Sequence, residues 1–203
     1  MGRPSRPLLT REGIMRAALE LVDEEGAAAL STTRLAARLG VKGPSLYNYV
    51  TGRDEIVDGM CDLIVAEMAI DPDVRPWTAA LDTWARSYRA AFAAHPNAVP
   101  LLAARPTESA AALRGYADAF AMLRAAGWPE DRLLIVVQSI EYFLLGSAIR
   151  IEKPRRRPVA PEETPPGLDL ILNAAPDFRE QAFETGLAVL IRGFEQTLAE
   201  LSA

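Results

Sequence analysis

The chain has 203 residues, of which 50% are hydrophobic, and a mean hydropathy of +0.05. This size and composition exclude a disordered chain and predict one substantial folded domain or two small ones. The net charge of −5 argues against an architectural nucleic-acid-binding protein, because such proteins carry dense positive charge.

Charge is unevenly distributed along the chain. The first 53 residues contain eight basic and five acidic side chains, a net charge of +3, so the remaining residues carry −8. This asymmetry predicts that the N-terminal end faces an acidic partner and that the rest has a different role. Because +3 is modest, nonspecific binding to nucleic acid should be weak and sensitive to salt.

Cysteine usage and hydropathy point to the cytoplasm. Cys61 is the only cysteine, so no intrachain disulfide can form, and we expect it to be a small core residue. We find no signal peptide before the first predicted helix. The most apolar run, 133–151, contains Gln138, Glu141 and Arg150, which predicts a buried helix and no membrane partner.

The chain begins with a predicted flexible basic arm, residues 1–9. Arg3 and Arg6 either reach into a DNA minor groove or belong to a tail without contacts. A first helix is predicted over 10–25, with one apolar face made of Ile14, Ala18, Leu21 and Val22.

Residues 31–53 predict a helix-turn-helix. Ser31 and the two threonines after it carry hydroxyls that suit a helix start, and Gly40 can take the positive φ that ends a helix. Pro44 fits only the first turn of a second, short helix. Leu46 and Val50 lie four residues apart and are predicted to face inward.

The helix-turn-helix predicts duplex DNA as a partner, because its second helix presents N-terminal side chains to base edges in the major groove. We expect base contacts from Lys42, Gly43, Pro44, Ser45 and Tyr47. We expect backbone contacts from Thr32, Thr33, Arg34, Asn48, Tyr49 and Arg53. The alternative is a small helical hairpin that binds no nucleic acid.

A fourth helix is predicted from a capping box at Thr51 and Asp54 to about residue 68. It should touch both domains, which makes it a natural lever. Two prolines, Pro72 and Pro76, mark a boundary between a DNA-binding domain at 10–70 and a second domain at 71–203. Helices are predicted there at 77–94, 99–104, 108–126, 129–151, 168–174 and 177–201, with an exposed loop at 153–166.

The predicted fold is therefore all-α, with an N-terminal three-helix helix-turn-helix domain and a C-terminal helical domain for ligand binding and dimerisation. Dimers read two half-sites one helical turn apart, so we expect a homodimer through the helices at 129–151 and 177–201. A pocket for a small molecule is predicted among aromatic and polar side chains: Trp84, Tyr88, Arg105, Tyr116, Phe120, Gln138 and Tyr142. The alternative for each is an ordinary core residue.

Residues 8–68 resemble the DNA-binding domain of the TetR family of repressors, through TREGIMRAALELVDEEG, LSTTRLAARLGV and the helix at 44–47 followed by GRDEIVDGM. The stretches ARPTE at 104–108 and FETGLAVLIRGFE at 183–195 resemble the tetracycline-repressor branch. The resemblance implies a dimeric, effector-responsive DNA-binding regulator, and we expect a repressor rather than an activator.

The chain departs from that branch where it would chelate drug-bound magnesium. The resemblance implies a histidine at Leu101, a carboxylate near Arg150 and a histidine near Ala69. Leucine cannot bind Mg²⁺ and arginine would repel it. We therefore predict no metal, no cofactor and no tetracycline–magnesium recognition.

Other function classes fit less well. A single histidine, His95, and a single cysteine make a zinc enzyme improbable, and His95 precedes Pro96 at a helix end, where capping is the simpler explanation. No nucleophile elbow or phosphate-binding glycine loop is present, so we predict no enzyme activity. A DNA-binding protein without a ligand and a protein adaptor remain as alternatives.

Overall fold

The computed structural model describes residues 9–68, 74–104, 108–149, 167, 170 and 174–203. Within those residues all regular secondary structure is helical, which confirms the predicted all-α fold. The predictions for the arm at 1–8, for Ala69, Pro72, Arg105 and Arg150, for the loop at 153–166 and for most of the helix at 168–174 lie outside the described residues.

The helices lie close to their predicted positions. They are α1 (Arg11–Glu25), α2 (Thr32–Leu39), α3 (Gly43–Leu46), α4 (Arg53–Ala66), α5 (Trp77–Ala94), α6 (Val99–Ala103), α7 (Ala110–Ala125), α8 (Glu130–Ala148) and α9 (Phe178–Leu201). A short 3₁₀ turn, Ala27–Ala29, follows α1. The differences from prediction are confined to helix ends, where capping rather than apolar spacing decides the boundary.

The chain divides into two compact units, residues 1–149 and residues 150–203. The first contains α1 to α8, and the second contains α9. The predicted division of function near residue 70 falls inside the first unit and stays a prediction.

Helix α1 is the centre of the N-terminal helices, since it packs against α2 and α4. Its predicted apolar face is buried: Ile14, Ala18, Leu21 and Val22. The Thr10 hydroxyl caps the helix by accepting the Gly13 N–H at 3.0 Å. The apolar spacing thus defines the core face, and the cap defines the first residue.

Helices α1 and α4 meet closely at Gly59. A Cβ atom added there would lie 2.5 Å from both Cγ and Sδ of Met15, which is itself buried. A glycine at this point therefore sets the spacing between the two helices.

The other helices of the first unit pack as neighbours: α5 contacts α8, α4 contacts α7, and α7 contacts α8. Helix α8 buries one face but leaves Leu134, Ile135 and Tyr142 more than half exposed. Apolar side chains on α8 are thus exposed as well as buried, as expected of a helix whose sequence is apolar nearly all round.

Helix α9 has an apolar stripe. Phe183 and Leu187 are buried, and the later members of the stripe are half-buried: Leu190, Ile191, Phe194 and Leu198.

We predict that Gly59→Ala lowers the free energy of unfolding by up to about 2 kcal/mol. Overpacking a filled core costs about 1–3 kcal/mol, from which a gain of about 1 kcal/mol in helix propensity is subtracted. Gly115→Ala is the matched control, because a Cβ at this helical glycine meets nothing within 4 Å, so only the gain applies. Urea denaturation at equal protein concentrations measures both. Equal stabilisation of the two variants would show that Met15 moves aside without cost.

Candidate functional site

The first half of the helix-turn-helix is held by local hydrogen bonds. The Ser31 hydroxyl accepts the Arg34 N–H at 3.3 Å and so caps α2. Gly40 ends the helix in the left-handed conformation at a φ of 66°, as predicted. Its N–H donates to Ala37 O at 3.1 Å, while Val41 N–H donates to Ala36 O at 3.0 Å. The turn is therefore fixed by a residue type that tolerates positive φ.

Helix α3 is a single turn of four residues, with Pro44 in its first turn. The Ser45 N–H donates to Lys42 O at 2.9 Å. After Leu46 the chain continues as a turn, in which the N–H groups of Tyr49 and Val50 both donate to Leu46 O. Leu46 and Val50 are buried, as predicted, and anchor this segment in the core.

The side chains predicted to contact DNA lie at the surface. Most are exposed: Thr33, Arg34, Lys42, Pro44, Tyr47, Asn48, Tyr49 and Arg53. Thr32, Gly43 and Ser45 are partly exposed. Tyr47 is 57% exposed and Tyr49 is 40% exposed. Two large aromatic side chains left in water beside an anchored turn are available to a partner, and their contacts with DNA stay a prediction.

Ion pairs join α2 to α1 beside this surface. Arg38 Nη1 lies 2.7 Å from Glu24 Oε2, and Arg38 Nη2 lies 3.3 Å from Glu20 Oε2. The guanidinium of Arg34, predicted to contact DNA, is paired with Glu25. An Arg34–phosphate contact would require exchange of that carboxylate for phosphate.

The capping box predicted at the start of α4 is wrong by one residue. The helix begins at Arg53 and its N-cap is Gly52, so Glu55 rather than Asp54 occupies the third helical position. Glu55 Oε2 accepts the Thr51 N–H at 2.6 Å and the Thr51 hydroxyl at 2.8 Å. Its other oxygen accepts from Arg11 Nε at 2.8 Å.

These donors stabilise the charged form of the Glu55 carboxyl. The Thr51 backbone N–H, followed by the Arg11 guanidinium and the Thr51 hydroxyl, lowers the pKa of Glu55 from 4.5 to about 2. The turn between α3 and α4 is thus fixed to α1 by a carboxylate that stays ionised at neutral pH.

His95 connects three helices rather than only ending one. Its backbone N–H caps α5 by donating to Phe92 O at 3.1 Å. The ring, however, lies with Nδ1 2.7 Å from Asp23 Oδ2 and Nε2 3.4 Å from Glu67 Oε1. The predicted capping role therefore belongs to the backbone, and the ring ties α5 to α1 and to the end of α4.

A cavity of about 80 Å³, which we call the inner cavity, lies among α4, α5, α6, α7 and α8. Its walls are mostly aliphatic and aromatic, and they include two carboxylates, Asp58 and Glu141. The three aromatic rings from α5 form a continuous wall: Trp84 and Tyr88 have centroids 5.4 Å apart, and Tyr88 stacks on Phe92 at 4.4 Å.

Glu141 is the polar centre of the inner cavity. It accepts hydrogen bonds from Tyr88 Oη at 3.2 Å, from Gln138 Nε2 at 2.6 Å and from Tyr116 Oη. Burial, together with the Glu141 carboxylate, raises the pKa of both phenols above their ordinary value. Both tyrosines therefore remain protonated and act as donors to Glu141.

A second cavity of about 720 Å³, the outer cavity, is lined by α5, α7 and α8 and by Arg75 before α5; its charged lining residues, among those described, are Arg75 and Asp118. It shares four lining residues with the inner cavity: Trp84, Gly115, Ala119 and Val137. The two cavities are thus neighbours that share walls. The volume of the outer cavity suits a drug-sized molecule.

The predicted pocket residues have different positions. Trp84, Tyr88 and Tyr116 line the inner cavity, whereas Gln138 contributes through its bond to Glu141. Two others lie outside the linings of both cavities: Phe120 has its ring 6.0 Å from that of Tyr116, and Tyr142 is 69% exposed.

Sequence reasoning missed Glu141 and Asp58 as cavity residues. A signal for Glu141 existed, because a carboxylate inside an otherwise apolar helical run must find hydrogen-bond donors when the helix is buried. Asp58 carried no comparable signal, since acidic residues on amphipathic helices are commonly solvated.

Two aspartates of α4 hold the start of α7. Asp62 Oδ1 accepts from Ser109 Oγ at 2.6 Å and from the Ala111 N–H at 2.8 Å. Asp58 Oδ1 accepts the Glu108 N–H at 3.3 Å. A helix that lines the cavity is therefore bonded to the segment that follows α6.

The residues present do not fit a magnesium chelate. Leu101, on α6, offers no ligand atom, and His95 is engaged with Asp23 and Glu67. In the described part of the chain, no group of three or more histidine, cysteine or acidic residues is placed to hold a metal. Nor does any described helix have the length and apolarity needed to cross a membrane.

Comparison with known proteins agrees with this architecture. Residues 14–60 match the family model of bacterial regulatory proteins of the tetR family, and residues 71–198 match the tetracyclin repressor-like C-terminal domain. The chain is 31% identical to the class D tetracycline repressor protein of Escherichia coli over 206 residues, covering 95% of this chain and 92% of that one.

Two further relatives support the same conclusion. The transcriptional repressor DrrR1 of Streptomyces coeruleorubidus is 33% identical over 151 residues, which are 72% of this chain and 56% of that protein. A crystal structure of a TetR variant from Acinetobacter baumannii AYE in complex with minocycline has a TM-score of 0.73 at 26% identity. It covers 94% of this chain and 98% of the other.

The fold and the site define a helix-turn-helix regulator with a helical C-terminal domain. The chain belongs to the TetR family of transcriptional regulators, and its C-terminal half is of the tetracycline-repressor type. Sequence-specific DNA binding that responds to small molecules is the function of this family, which confirms the prediction made from the motif.

The Glu55 bonds generate a prediction about pH. The pKa of Glu55 is lower in the folded chain than its ordinary value, so its stabilisation is present above about pH 4.5 and disappears as the pH falls through about 2. We expect Glu55→Gln to cost about 1–2 kcal/mol at pH 7, because a helix-start bond and a partly buried ion pair are lost.

Urea denaturation at pH 7, 5 and 3 measures this difference, which should shrink between pH 5 and 3. Glu12→Gln is the control, since Glu12 makes only an exposed pair with Arg16 and should cost less than about 0.5 kcal/mol. A Glu55→Gln cost that does not change with pH would contradict the assigned role.

Proposed function

We propose that this protein is a homodimeric repressor, released from a palindromic operator when a small molecule occupies the inner and outer cavities. The observation that carries the proposal is the position of α4. Val57 and Cys61 of this helix line the inner cavity, while Gly59 on the same helix packs against α1 of the predicted DNA-binding domain.

The proposed reading surface is the segment from Lys42 to Tyr49, with Arg53 after it. Lys42, Ser45 and Tyr47 offer donors and acceptors for base edges, and the Pro44 ring offers an apolar contact for a thymine methyl. Asn48, Tyr49 and Arg53 bind the phosphate backbone in this proposal, together with Thr32, Thr33 and Arg34. Support comes from their exposure beside the buried anchors of α3.

Helix α4 is the proposed lever between ligand and DNA. Its Asp58 and Asp62 are bonded to the start of α7, and its Glu55 is bonded to Arg11 of α1. A ligand that binds better to one arrangement of α4 shifts the equilibrium by that difference in affinity. Movement of α4 in each protomer would change the separation of the two reading surfaces.

The proposed dimer uses α8 and α9. Leu134 and Ile135 on α8 and Val189 on α9 are each 56% exposed. Large apolar side chains exposed on a single chain are typical of surfaces that a partner covers. A twofold dimer also gives the pair of reading surfaces that a palindrome requires.

The regulator acts by binding alone in this proposal, without enzymatic activity. The family consists of transcriptional regulators. The Glu141 carboxylate accepts hydrogen bonds from the neutral side chains of Tyr88, Tyr116 and Gln138, and we call these four residues the Glu141 cluster. A ligand-independent DNA-binding protein is the second candidate; it would keep the reading surface but would not respond to any molecule in the cavities.

Selection of bound duplexes from a random DNA pool at physiological salt tests the proposal. An enriched palindrome with half-sites about 34–36 Å apart supports a dimeric reader. The purified protein should then release that duplex when an effector is added. Absence of any enriched sequence, with salt-sensitive background only, would contradict the proposed function.

Two tyrosine variants separate base contacts from backbone contacts. Tyr47→Ala should weaken binding to the selected palindrome by about 1–3 kcal/mol and relax the preference at one position of each half-site. Tyr49→Phe is the control, because loss of a phosphate contact weakens binding similarly for all sequences. Fluorescence anisotropy with matched and mismatched duplexes measures both. Unchanged specificity of Tyr47→Ala would make Tyr47 a packing residue.

We predict that tetracycline with magnesium is not an effector of this protein. Leu101 lies where the resemblance places a metal-binding histidine, and a leucine side chain has no ligand atom for Mg²⁺. Titration of tetracycline fluorescence with and without MgCl₂ should show no magnesium-dependent binding. Magnesium-dependent saturation at micromolar tetracycline would overturn this prediction.

A further inference from the structure

The polar atoms of the inner cavity determine what a ligand must offer. A phenol has one hydrogen to donate, and the phenols of Tyr88 and Tyr116 both donate to Glu141. Toward a ligand, the two phenolic oxygens can therefore act only as hydrogen-bond acceptors. The carboxylates of Glu141 and Asp58 are acceptors as well.

The aromatic wall favours the same kind of ligand. The side chains of Tyr88, Phe92 and Trp84 all line the inner cavity, and the rings of Tyr88 and Phe92 stack on each other. Aromatic faces attract cations through their negative potential. Among the described residues that line the inner cavity, none is lysine, arginine or histidine.

The sizes of the two cavities suit a ligand with two parts, a small head group and a larger body. About 80 Å³ suits a small head group, whereas the adjoining 720 Å³ of the outer cavity suits an apolar body. Trp84 and Gly115 lie on the walls of both cavities, so the two cavities adjoin. Burial of the apolar body supplies affinity, and the head group supplies selectivity.

We propose that the effector is an apolar, ring-containing molecule with a protonated amine, whose ammonium group binds Glu141 and Asp58 in the inner cavity. This inference rests on the proposed function and names the effector's chemical class. A primary ammonium has three hydrogens: in this proposal it donates to the carboxylates of Glu141 and Asp58 and to the phenolic oxygen of Tyr88 or Tyr116, while the ring system fills the outer cavity. An anionic ligand would face two carboxylates and is disfavoured.

Three probes with one ring system test the inference: 1-naphthylmethylamine, 1-naphthylmethanol and 1-naphthoate. Isothermal titration calorimetry with the full chain at pH 7 should show the amine binding about tenfold more tightly than the alcohol, because a charge-assisted hydrogen bond exceeds a neutral one. The naphthoate should bind most weakly.

Substitutions test which residues cause the preference for the amine over the alcohol. Glu141→Gln should abolish the preference for the amine over the alcohol, since the amide keeps an acceptor for the tyrosines but loses the charge. Glu130→Gln is the matched control on the same helix, because Glu130 does not line the inner cavity and pairs with Arg124 at 2.9 Å. Asp58→Asn is a second test, which should reduce the preference even if Glu141→Gln fails to fold.

Three results would overturn the inference: naphthoate binding as tightly as the amine, a preference that survives in folded Glu141→Gln, or no binding of any probe at millimolar concentration. Anisotropy of the selected duplex, recorded on the same samples, separates this failure from that of the proposed function. Operator binding without amine binding overturns the ligand class alone, whereas amine binding without operator binding overturns the proposed repressor.

Discussion

The fold of the first unit depends on the packing of α4, which contacts α1 on one side and forms part of the wall of the inner cavity on the other. At Gly59 its backbone approaches Met15 of α1 so closely that a single added carbon would collide with a buried side chain. Elsewhere on the helix, Val57, Asp58, Cys61 and Val65 form part of the cavity wall. Because close-packed interiors transmit displacement rather than absorb it, a shift of α4 imposed from the cavity cannot leave α1 unaffected.

The bonds at the two ends of α4 strengthen this coupling. At its start, Glu55 joins the helix to Arg11 and to the turn that follows α3. At its other end, Glu67 meets His95, which is also bonded to Asp23 near the end of α1. Both ends are thus attached to α1, the helix against which α2 of the helix-turn-helix packs. Hydrogen bonds and ion pairs of this kind define a small number of discrete arrangements, which is what a two-state regulator needs.

Local signals in the sequence explain most of the fold. The apolar spacing of α1, the Gly40 turn and the Pro44 start predict elements that the structure confirms, since each depends on residues within a few positions. The capping box failed by one residue for a related reason. Both Asp54 and Glu55 can serve as its acid, and only the position of Gly52 as N-cap selects Glu55.

The inner cavity could not be predicted to the same degree, because the residues that bond to one another on its wall are far apart in the sequence. Tyr88 and Glu141 are 53 positions apart, and Tyr116 and Glu141 are 25 apart. Apolar spacing shows that α5, α7 and α8 are amphipathic or buried, but not which of their polar residues meet. Tyr142 illustrates the limit: it lies one residue after Glu141, yet its side chain points to the surface.

The hydrogen bonds around Glu141 give a reason for polar residues on the wall of the inner cavity. A partly buried carboxylate such as Glu141 loses some of its hydration, which costs free energy, and a site of this kind is seldom more stable than a well-packed apolar group of the same size. Tyr88, Tyr116 and Gln138 reduce that cost without cancelling the charge, because all three are neutral. A site that contributes little to stability but keeps a negative charge at the wall beside α4 is suited to selecting a ligand. In the proposed mechanism, binding there compensates the charge only in the arrangement of α4 that admits the ligand, and that difference in affinity would drive release from DNA.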